Sequence, residues 1–295
     1  MISHSGPVVE EFAAAKINLA LHVTGRRDDG YHLLDSIVAF ADVGDVLRLG
    51  RSSTTALTVS GPFGQSLQGE VENLVLAAAR SWAGQYGASD QGAEIELIKA
   101  LPVASGIGGG SADAAAALRG LNRLWRVEPP ADGMNSLALG LGADVPVCLQ
   151  GCSCRMSGIG EAIAAIGQMP EFAAILVNPA VSMATAQVFS RIGLKPGGKG
   201  NGALDAIPAS SDAGDWLNWL KDQRNDMQAA AIELAPVIGE CLAAIASREG
   251  CQLARMSGSG ATCFGLFAAP AQAKAAAAEL SAAQPQWWVA DTTIG

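Results

Sequence analysis

The 295-residue sequence contains little of what metal sites and nucleic-acid surfaces are built from. Its three histidines, at positions 4, 22 and 32, are too few for a transition-metal site made of protein ligands alone. Lysine and arginine number 19 against 28 acidic residues, so the formal net charge of -9 argues against binding to nucleic acid or to anionic membranes. Aromatic residues make up only 5% of a chain that is 49% hydrophobic, which indicates a globular protein of small-residue helices and tight turns.

Long hydrophobic runs are also missing. No uninterrupted apolar run approaches the ~18 residues that suggest a membrane span, and residues 1–12 lack the basic and apolar regions of a secretion signal. We therefore expect a cytoplasmic protein.

The six cysteines show no repeated C-x-x-C pair, which indicates free buried thiols, and a metal or redox site around Cys152 and Cys154 is the alternative. No metal ligand is predicted.

The length of the chain favours two domains, and we place the boundary between residues 158 and 159. Hydrophobic periodicity predicts strands over residues 12–23, 36–49, 93–100, 173–177, 251–257 and 262–268. Residues 36–49 are expected to form two strands joined by a turn at Val43-Gly44-Asp45. The same analysis predicts helices over residues 73–83, 111–124, 131–141, 226–247 and 271–283. Residues 193–215 are predicted to form a loop. This alternation is typical of an α+β protein.

The most informative segment is a glycine-rich loop between a predicted strand and a predicted helix that Ser111 is expected to cap. Its four glycines permit positive φ, so successive backbone N–H groups can converge on a phosphate chain at the positive end of the helix. It is not a Walker A loop, because no Gly-Lys-Ser/Thr ends the run, nor a dinucleotide fingerprint, because Ser111 stands at the third glycine position. A tight connector without a ligand is the alternative.

Residues 102–114 resemble the ATP-binding motif of the GHMP kinases, the superfamily of galactokinase, homoserine kinase and mevalonate kinase. Residues 13–19 and 257–265 are similar to the first and third motifs of the same superfamily. The resemblance implies an α+β, two-domain architecture: a left-handed β-α-β nucleotide domain over 1–158 and a ferredoxin-like substrate domain over 159–295. It also implies ATP and Mg²⁺ as cofactors, with ATP bound by Pro102, Val103, Ala104, Ser105, Gly106, Ile107, Gly108, Gly109, Gly110, Ser111 and Ala112.

Four segments narrow the resemblance: AKINLALHVTGRRDDGYH, SGIGGGSADAA, GADVPVCLQG and MSGSGATCFG. They are similar to those of the branch that phosphorylates the 2-hydroxyl of a cytidine diphosphate sugar alcohol in non-mevalonate isoprenoid biosynthesis. In that branch, Tyr31 and His32 would bind the cytosine, with Phe189 on its other face and Thr185 close to the substrate. The other substrate residues that the resemblance implies are Asn18, Ser257, Gly258 and Ser259.

Two charged residues are the candidates for catalysis. Asp144, in the GADVP segment, is implied by the resemblance as the base, and a capping or turn aspartate is the alternative. Lys16 is the only cation in the apolar stretch 12–21, so in a buried strand its charge needs an anionic partner. The resemblance makes Lys16 the second catalytic residue, and a surface lysine on an edge strand is the alternative. Asn18 lies on the same strand face as Lys16 by two-residue alternation.

Two other functions remain open at this stage. One is a GHMP kinase that acts on homoserine or a mevalonate, against which Tyr31, His32 and Phe189 argue because neither acceptor has an aromatic base. The other is a nucleotide-binding regulator without catalysis, against which the presence of both Lys16 and Asp144 argues. A small molecule is the expected partner, and the chain is expected to be a monomer or a weak homodimer.

Overall fold

A computed structural model describes residues 7–67, 73–87 and 91–295. The chain forms two compact units, each assembled from separate stretches of sequence. The first unit comprises the described residues of Met1–Ala15, Gly44–Val103 and Gly108–Gly151, and the second comprises Lys16–Val43, Ala104–Ile107 and Cys152–Gly295. The boundary expected between residues 158 and 159 stays a prediction.

The first unit contains a small sheet and a group of helices. Its strands come from β1 (Val8–Arg26), β2 (His32–Ser52), β3 (Ala56–Ser60) and β4 (Gly92–Ile98), of which β1 and β2 also contribute residues to the second unit. Val46–Ser52 of β2 pairs antiparallel with β4, and β3 pairs parallel with β4. Parallel neighbours need a crossover, and a short 3₁₀ turn (Gly64–Leu67) followed by α1 (Leu74–Tyr86) provides it. This is the predicted β-α-β arrangement.

Three further helices complete the first unit: α2 (Gly109–Trp125), α3 (Ala131–Leu141) and α4 (Val145–Gln150). The alanines of α2 from Ala114 to Ala117 are all fully buried. Their small side chains let α2 pack closely against neighbouring helices while keeping a high helix propensity. The helix that carries the end of the glycine-rich loop is therefore a rigid part of the core.

The second unit is built on an antiparallel sheet with helices between its strands. Its strands are β5 (Cys154–Gly158), β6 (Ala162–Ala165), β7 (Phe172–Asn178), β8 (Cys251–Met256), β9 (Cys263–Phe267) and β10 (Trp288–Ile294). Its helices are α5 (Thr185–Ile192), α6 (Ala213–Asp222), α7 (Gln228–Leu234), α8 (Val237–Ala246) and α9 (Pro270–Ala283). β5 pairs antiparallel with Leu34–Val38 of β2 and with β6.

The strand order confirms the ferredoxin-like prediction for this unit. In chain order β7, α8, β8, β9, α9 and β10 form the β-α-β-β-α-β pattern, and the strands lie in the order β10-β7-β9-β8 with antiparallel neighbours. Ile175 and Val177 of β7 and Ile238, Cys241 and Ile245 of α8 belong to one buried cluster. The packing of α8 on the sheet therefore supplies much of the apolar burial that stabilises this unit.

Most predicted elements are confirmed, and α3 has the predicted bounds. The helix predicted over 226–247 is wrong as one element: it is divided into α7 and α8 at Pro236, which lacks the N–H that a continuous helix would use. The predicted loop 193–215 ends early, because Asp212 caps α6 by accepting hydrogen bonds from Gly214 N and Asp215 N at 2.8 and 3.0 Å. The strand β10 was not predicted.

The turn predicted at Val43-Gly44-Asp45 is wrong, because β2 continues through these residues without interruption. Gly44 is required there for another reason. A Cβ atom at this position would lie 2.3 Å from the carbonyl oxygen of Ala13 in β1. The glycine therefore permits a close approach of two backbones. Among the helices of the described residues, none is long and apolar enough to cross a membrane.

We predict that Gly44→Ala destabilises the protein, because the new methyl group overlaps the Ala13 carbonyl and one of the two strands must move. Overpacking of this kind costs about 1–3 kcal/mol of unfolding free energy. Gly84→Ala in α1 is the matched control, since a Cβ there meets nothing within 4 Å. That change should leave stability equal or higher, because alanine favours a helix. Urea unfolding measures both, and equal midpoints for the two variants would contradict the close-approach explanation.

Candidate active site

The phosphate loop, defined as residues 102–112, has the backbone conformation that its glycines predicted. Ala104, Gly106 and Gly108 have φ values of 51°, 76° and 65°, all in the left-handed region. Gly108 is the N-cap of the 17-residue helix α2 and makes no side-chain capping bond. The predicted cap at Ser111 is therefore wrong, because the helix begins two residues earlier at Gly109. The hydroxyl of Ser111 is not used to cap this helix.

A second glycine-rich segment, the C-terminal glycine loop (residues 257–262), connects β8 to β9 and lies directly against the phosphate loop. A Cβ atom on Gly106 would lie 2.6 Å from the carbonyl oxygen of Gly260 and 2.7 Å from that of Ser257. Likewise, a Cβ on Gly258, whose φ is 55°, would lie 2.6 Å from the carbonyl oxygen of Gly106. The two loops therefore touch backbone to backbone, and only glycine leaves room for this contact.

Hydrogen bonds join the same two loops. The hydroxyl of Ser257 donates to the carbonyl of Gly106 at 3.1 Å. At the other end of the C-terminal glycine loop, the backbone N–H of Thr262 donates to the carbonyl of Ser105 at 3.0 Å. Ser257 and Thr262 are fully buried, so these bonds are shielded from competition with water. The C-terminal glycine loop thus fixes the path of the phosphate loop from Ser105 to Gly106.

Strand β1 carries Lys16 and Asn18 to the same place. The backbone N–H of Lys16 donates to the carbonyl of Ile107 at 2.9 Å, and that of Asn18 donates to the hydroxyl of Ser257 at 3.1 Å. The side-chain amide of Asn18 also donates to the hydroxyl of Ser36 at 2.8 Å. Its Oδ1 accepts no hydrogen bond from the described part of the chain. This buried acceptor is suited to a donor such as a substrate hydroxyl.

Lys16 and Asp144 occupy different environments. The side chain of Lys16 is buried, so the alternative of a surface lysine is wrong. Burial raises the pKa of the neighbouring thiol of Cys154 to about 11, with a smaller contribution from Cys152, and the positive charge of Lys16 opposes this change. Asp144 is half-buried at the N-cap position of α4, but its carboxylate makes no capping hydrogen bond there. Capping therefore does not explain the presence of Asp144.

The second unit contains a cavity of about 620 Å³ that brings four predicted substrate residues together. Tyr31 and His32 line it from the start of β2, and Thr185 and Phe189 line it from α5. The cavity is joined to the C-terminal glycine loop, because the hydroxyls of Thr185 and Ser259 are hydrogen bonded at 2.9 Å. A wall of aromatic and aliphatic side chains with a few polar groups is typical of a small-molecule site.

The rings of His32 and Phe189 stack on each other, with centroids 4.3 Å apart and planes inclined by 14°. A base cannot lie between two rings in direct contact, so the predicted sandwich requires them to separate. Burial, helped by the charge of Arg26, lowers the pKa of His32, which is therefore neutral at neutral pH. Its Nε2 is buried and has no hydrogen-bond partner among the described residues. Tyr31 is 60% exposed and presents a free aromatic surface at the same cavity.

A buried ion cluster beneath the phosphate loop was not predicted from the sequence. The ammonium of Lys99 is paired with the carboxylates of Asp45 and Asp113, the latter at 2.7 Å. The other oxygen of Asp45 accepts the N–H groups of Ala100 and Leu101 at 2.6 and 2.9 Å. The cluster therefore joins β2 and the end of β4 to the N-terminal part of α2. The only sequence signal was the isolated charge of each residue within an apolar segment.

Two carboxylates share one ammonium group in this cluster. Burial and the negative charge of Asp45 raise the pKa of Asp113 to about 7, because together they exceed the lowering of this pKa by the positive charge of Lys99. For Lys99, burial alone would lower the pKa, but the two carboxylates overcome it and raise the pKa. The cluster therefore holds a proton on one carboxylate at mildly acidic pH and carries excess negative charge at higher pH.

Comparisons with known proteins agree with this geometry. Family models match residues 73–152 as the GHMP kinases N terminal domain and residues 203–286 as the GHMP kinases C terminal domain. A crystal structure of homoserine kinase from Cytophaga hutchinsonii superimposes with a TM-score of 0.69 over 100% of this chain and 96% of that chain, at 16% identity. At that identity the likeness shows the fold alone. The fold is that of a GHMP kinase, as the sequence predicted.

More similar relatives define the branch. The 4-diphosphocytidyl-2-C-methyl-D-erythritol kinases of Paramagnetospirillum magneticum and Roseobacter denitrificans are 52% and 50% identical, covering 96% and 98% of this chain and 97% and 94% of theirs. A crystal structure of 4-(cytidine 5'-diphospho)-2C-methyl-D-erythritol kinase has a TM-score of 0.77 at 30% identity, over 97% of this chain and 100% of that one. The chain belongs to the 4-diphosphocytidyl-2-C-methyl-D-erythritol kinase family.

The ion cluster predicts a specific pH dependence of stability. The pKa of Asp113 is about 7 in the folded protein and 3.8 as the ordinary value, so between these pH values the folded state binds the extra proton. The stabilisation that Asp113 contributes is complete below the ordinary pKa of 3.8 and is lost as pH rises through the folded-state pKa of about 7. The loss amounts to at most about 1.4 kcal/mol of unfolding free energy per pH unit. Asp113→Asn removes the titration. The free energy of unfolding of the parent minus that of this variant should fall between pH 5 and pH 7.

Urea unfolding at a series of pH values measures this difference. Ser111→Ala is the matched control, because it alters the same helical turn without changing a titratable group. The curve of that control should run parallel to the curve of the parent. If the Asp113→Asn curve also ran parallel to the parent, the proposed proton on this cluster would be excluded.

Proposed function

We propose that the chain transfers the γ-phosphoryl group of ATP to the 2-hydroxyl of 4-diphosphocytidyl-2-C-methyl-D-erythritol, a step in non-mevalonate isoprenoid precursor biosynthesis. Membership of the kinase family supports the reaction. The observation that carries the choice of acceptor is the cavity lined by Tyr31, His32, Thr185 and Phe189. An acceptor such as homoserine or mevalonate has no aromatic base that could stack on these aromatic side chains.

The cavity is suited to the cytidine part of the acceptor. Tyr31 offers an exposed ring on which a base can stack. A neutral His32 has one ring nitrogen that donates and one that accepts, which matches a pyrimidine edge that presents both kinds of group. The direct stacking of His32 on Phe189 implies that one of these rings moves when the base binds. Thr185, through its bond to Ser259, connects the cytidine part to the C-terminal glycine loop.

For the chemical step we assign Asp144 as the base that accepts the proton of the acceptor hydroxyl. Lys16 stabilises the negative charge of the phosphoryl group in transfer, a role that a buried ammonium performs well. The buried Oδ1 of Asn18 is available to accept a hydrogen bond from a hydroxyl of the acceptor. Ser257, Gly258 and Ser259 act as substrate residues by shaping the C-terminal glycine loop.

The phosphate loop fits the phosphates of ATP. Its left-handed residues permit successive backbone N–H groups to converge on an anion, and the positive end of the 17-residue helix α2 follows directly. Among residues 7–67, 73–87 and 91–295 there is no group of three His, Cys, Asp or Glu side chains that could hold a metal ion. The Ser111 hydroxyl at the start of α2 is the loop's candidate contact for Mg²⁺ or its water, and the ion, when bound, would neutralise phosphate charge.

Three expectations from the sequence remain predictions beside this proposal. They are the division into an ATP-binding domain over 1–158 and a substrate domain over 159–295, the cytoplasmic location, and the monomeric or weakly dimeric state. Each of the loop residues from Pro102 to Ala112 remains a proposed ATP ligand.

The proposal is tested by ADP release from ATP and Mg²⁺ with the cytidylyl methylerythritol acceptor, homoserine, mevalonate or no acceptor. The parent should release ADP only with the first acceptor. Asp144→Asn should lower kcat by about 10²-fold or more, the scale of general-base catalysis, while ATP binding is kept. Asp132→Asn, an exposed aspartate at the start of α3, is the matched control and should keep the activity of the parent.

The outcomes separate the alternatives. Release with homoserine or mevalonate would keep the kinase and discard the cytidine cavity. No release with any acceptor, together with ATP binding, would favour a regulator. Full turnover by Asp144→Asn with the first acceptor would show that another group accepts the proton.

A further inference from the structure

The turn that precedes α7 carries a buried amide, Asn225, whose hydrogen bonds reach beyond that turn. Its Oδ1 accepts the N–H of Met227 at 2.9 Å, as expected for an asparagine at the start of a helix. Its Nδ2 donates to the carbonyl oxygens of both Met256 and Gly258 at 2.8 Å. The side chain is 7% exposed. This local turn bond is one of three, and the other two go to the C-terminal glycine loop and the residue before it.

These two carbonyls lie on either side of Ser257. Ser257 is the residue whose hydroxyl donates to Gly106 of the phosphate loop and accepts the N–H of Asn18. Gly258 has a left-handed φ of 55°, and as a glycine its free backbone has more conformations available than that of other residues. The amide of Asn225 thus holds the backbone on both sides of the residue that fixes the phosphate loop.

Asn225 is itself held by β1. The N–H of Leu21 donates to the carbonyl of Arg224, and the N–H of Asp226 donates to the carbonyl of Leu21, both at 2.9 Å. The carboxylate of Asp226 also accepts the N–H of Val23 at 2.7 Å. The same strand carries Lys16 and Asn18. A rigid path therefore runs from β1 through Asn225 to the C-terminal glycine loop.

The chemistry of these bonds selects asparagine. The side chain must accept one hydrogen bond and donate two, and asparagine is the short side chain that does both. Aspartate and serine keep the acceptor for Met227, but an ionised aspartate donates nothing and a serine hydroxyl donates once. Helix capping alone would accept any of the three.

We propose that Asn225 is a positioning residue for the phosphates of ATP, acting through the carbonyls of Met256 and Gly258 on Ser257 and hence on Gly106. The inference rests on the proposed function, because it takes the phosphate loop as the ATP site. Asn225 touches neither ATP nor the acceptor.

The test is the affinity for a nonhydrolysable ATP analogue with Mg²⁺, measured by calorimetry without acceptor, for the parent, Asn225→Asp and Asn225→Ser. At pH 8 the loss of the two donated bonds should weaken binding by about 10-fold or more in Asn225→Asp. Affinity for cytidine diphosphate should stay within about 2-fold of the parent, a difference below the effect of one hydrogen bond. A general loss of structure would weaken both ligands together.

Asn225→Asp has a further signature. An aspartic acid buried among carbonyl oxygens is protonated more easily than usual, and the protonated form donates one hydrogen bond again. Its ATP-analogue affinity relative to the parent should therefore recover as pH falls from 8 to 6.5. The nearby charged groups are Arg224 and Asp226, paired at 2.6 Å, and Arg255 of β8. His22 lies beside them, and burial, helped by the charge of Arg224, lowers its pKa and favours its neutral form.

Asn225→Ser should show no such recovery, because serine does not titrate. Asp212→Ala, which removes two hydrogen bonds at the start of α6, is the control for a loss of two bonds elsewhere in the unit and should keep the affinity of the parent. Equal analogue affinity in the parent and both Asn225 variants would overturn the proposed role of Asn225 and leave the proposed function standing. Equal losses for the ATP analogue and cytidine diphosphate would also overturn it. No analogue binding by the parent would overturn the proposed function and this inference together.

Discussion

The backbone contact between the phosphate loop and the C-terminal glycine loop is the constraint on which the rest of the site depends. Gly106 has no room for a side chain because two carbonyls of the other loop lie within 2.7 Å of its Cβ position. The hydroxyl of Ser257 and the N–H of Thr262 bind the adjacent carbonyls. A loop rich in glycine has a high conformational entropy when free. This contact, together with the bond from Lys16 N to Ile107 O, holds the loop in one conformation.

The ferredoxin-like sheet explains why the C-terminal glycine loop can serve as an anchor. The loop connects two strands that pair in register from Met256 and Cys263 outward, so both of its ends are fixed. Helix α8 packs beneath these strands and buries Ile238 and Cys241. The apolar core of the unit thus stabilises the loop, and Asn225 adds two hydrogen bonds where the strand β8 ends. The cavity lined by Tyr31, His32 and Phe189 shares this anchor through Thr185 and Ser259.

Much of this arrangement could be predicted from the sequence, and what could not has a physical reason. The phosphate loop was evident because glycine density and a following alanine-rich helix are local signals. The local sequence predicts a turn at Gly44, because the contact with Ala13 that requires this glycine depends on a residue 31 positions earlier in the chain. The cluster of Lys99 with Asp45 and Asp113 was missed for the same reason, since each partner is an ordinary charged residue until the fold brings them together.

The residues of the cytidine cavity came from family resemblance, because Tyr31, His32 and Phe189 taken singly are ordinary aromatic positions. Their common cavity supports that prediction, whereas the direct stacking of His32 on Phe189 depends on packing that no local pattern reveals. The sequence around Asn225 gives no sign of its role, since its acceptor is used two residues away and its donors are used 31 and 33 residues away.

The affinity of Ser257→Ala for an ATP analogue tests the central claim most directly, because this change removes the hydroxyl that joins the two loops and leaves their glycines intact. The account predicts that analogue affinity falls by about 5-fold or more, the scale of one or two lost hydrogen bonds, while cytidine, which has no phosphate and occupies only the cavity, binds as it does to the parent. Unchanged analogue affinity in a folded Ser257→Ala protein would contradict the claim that the C-terminal glycine loop positions the phosphate loop.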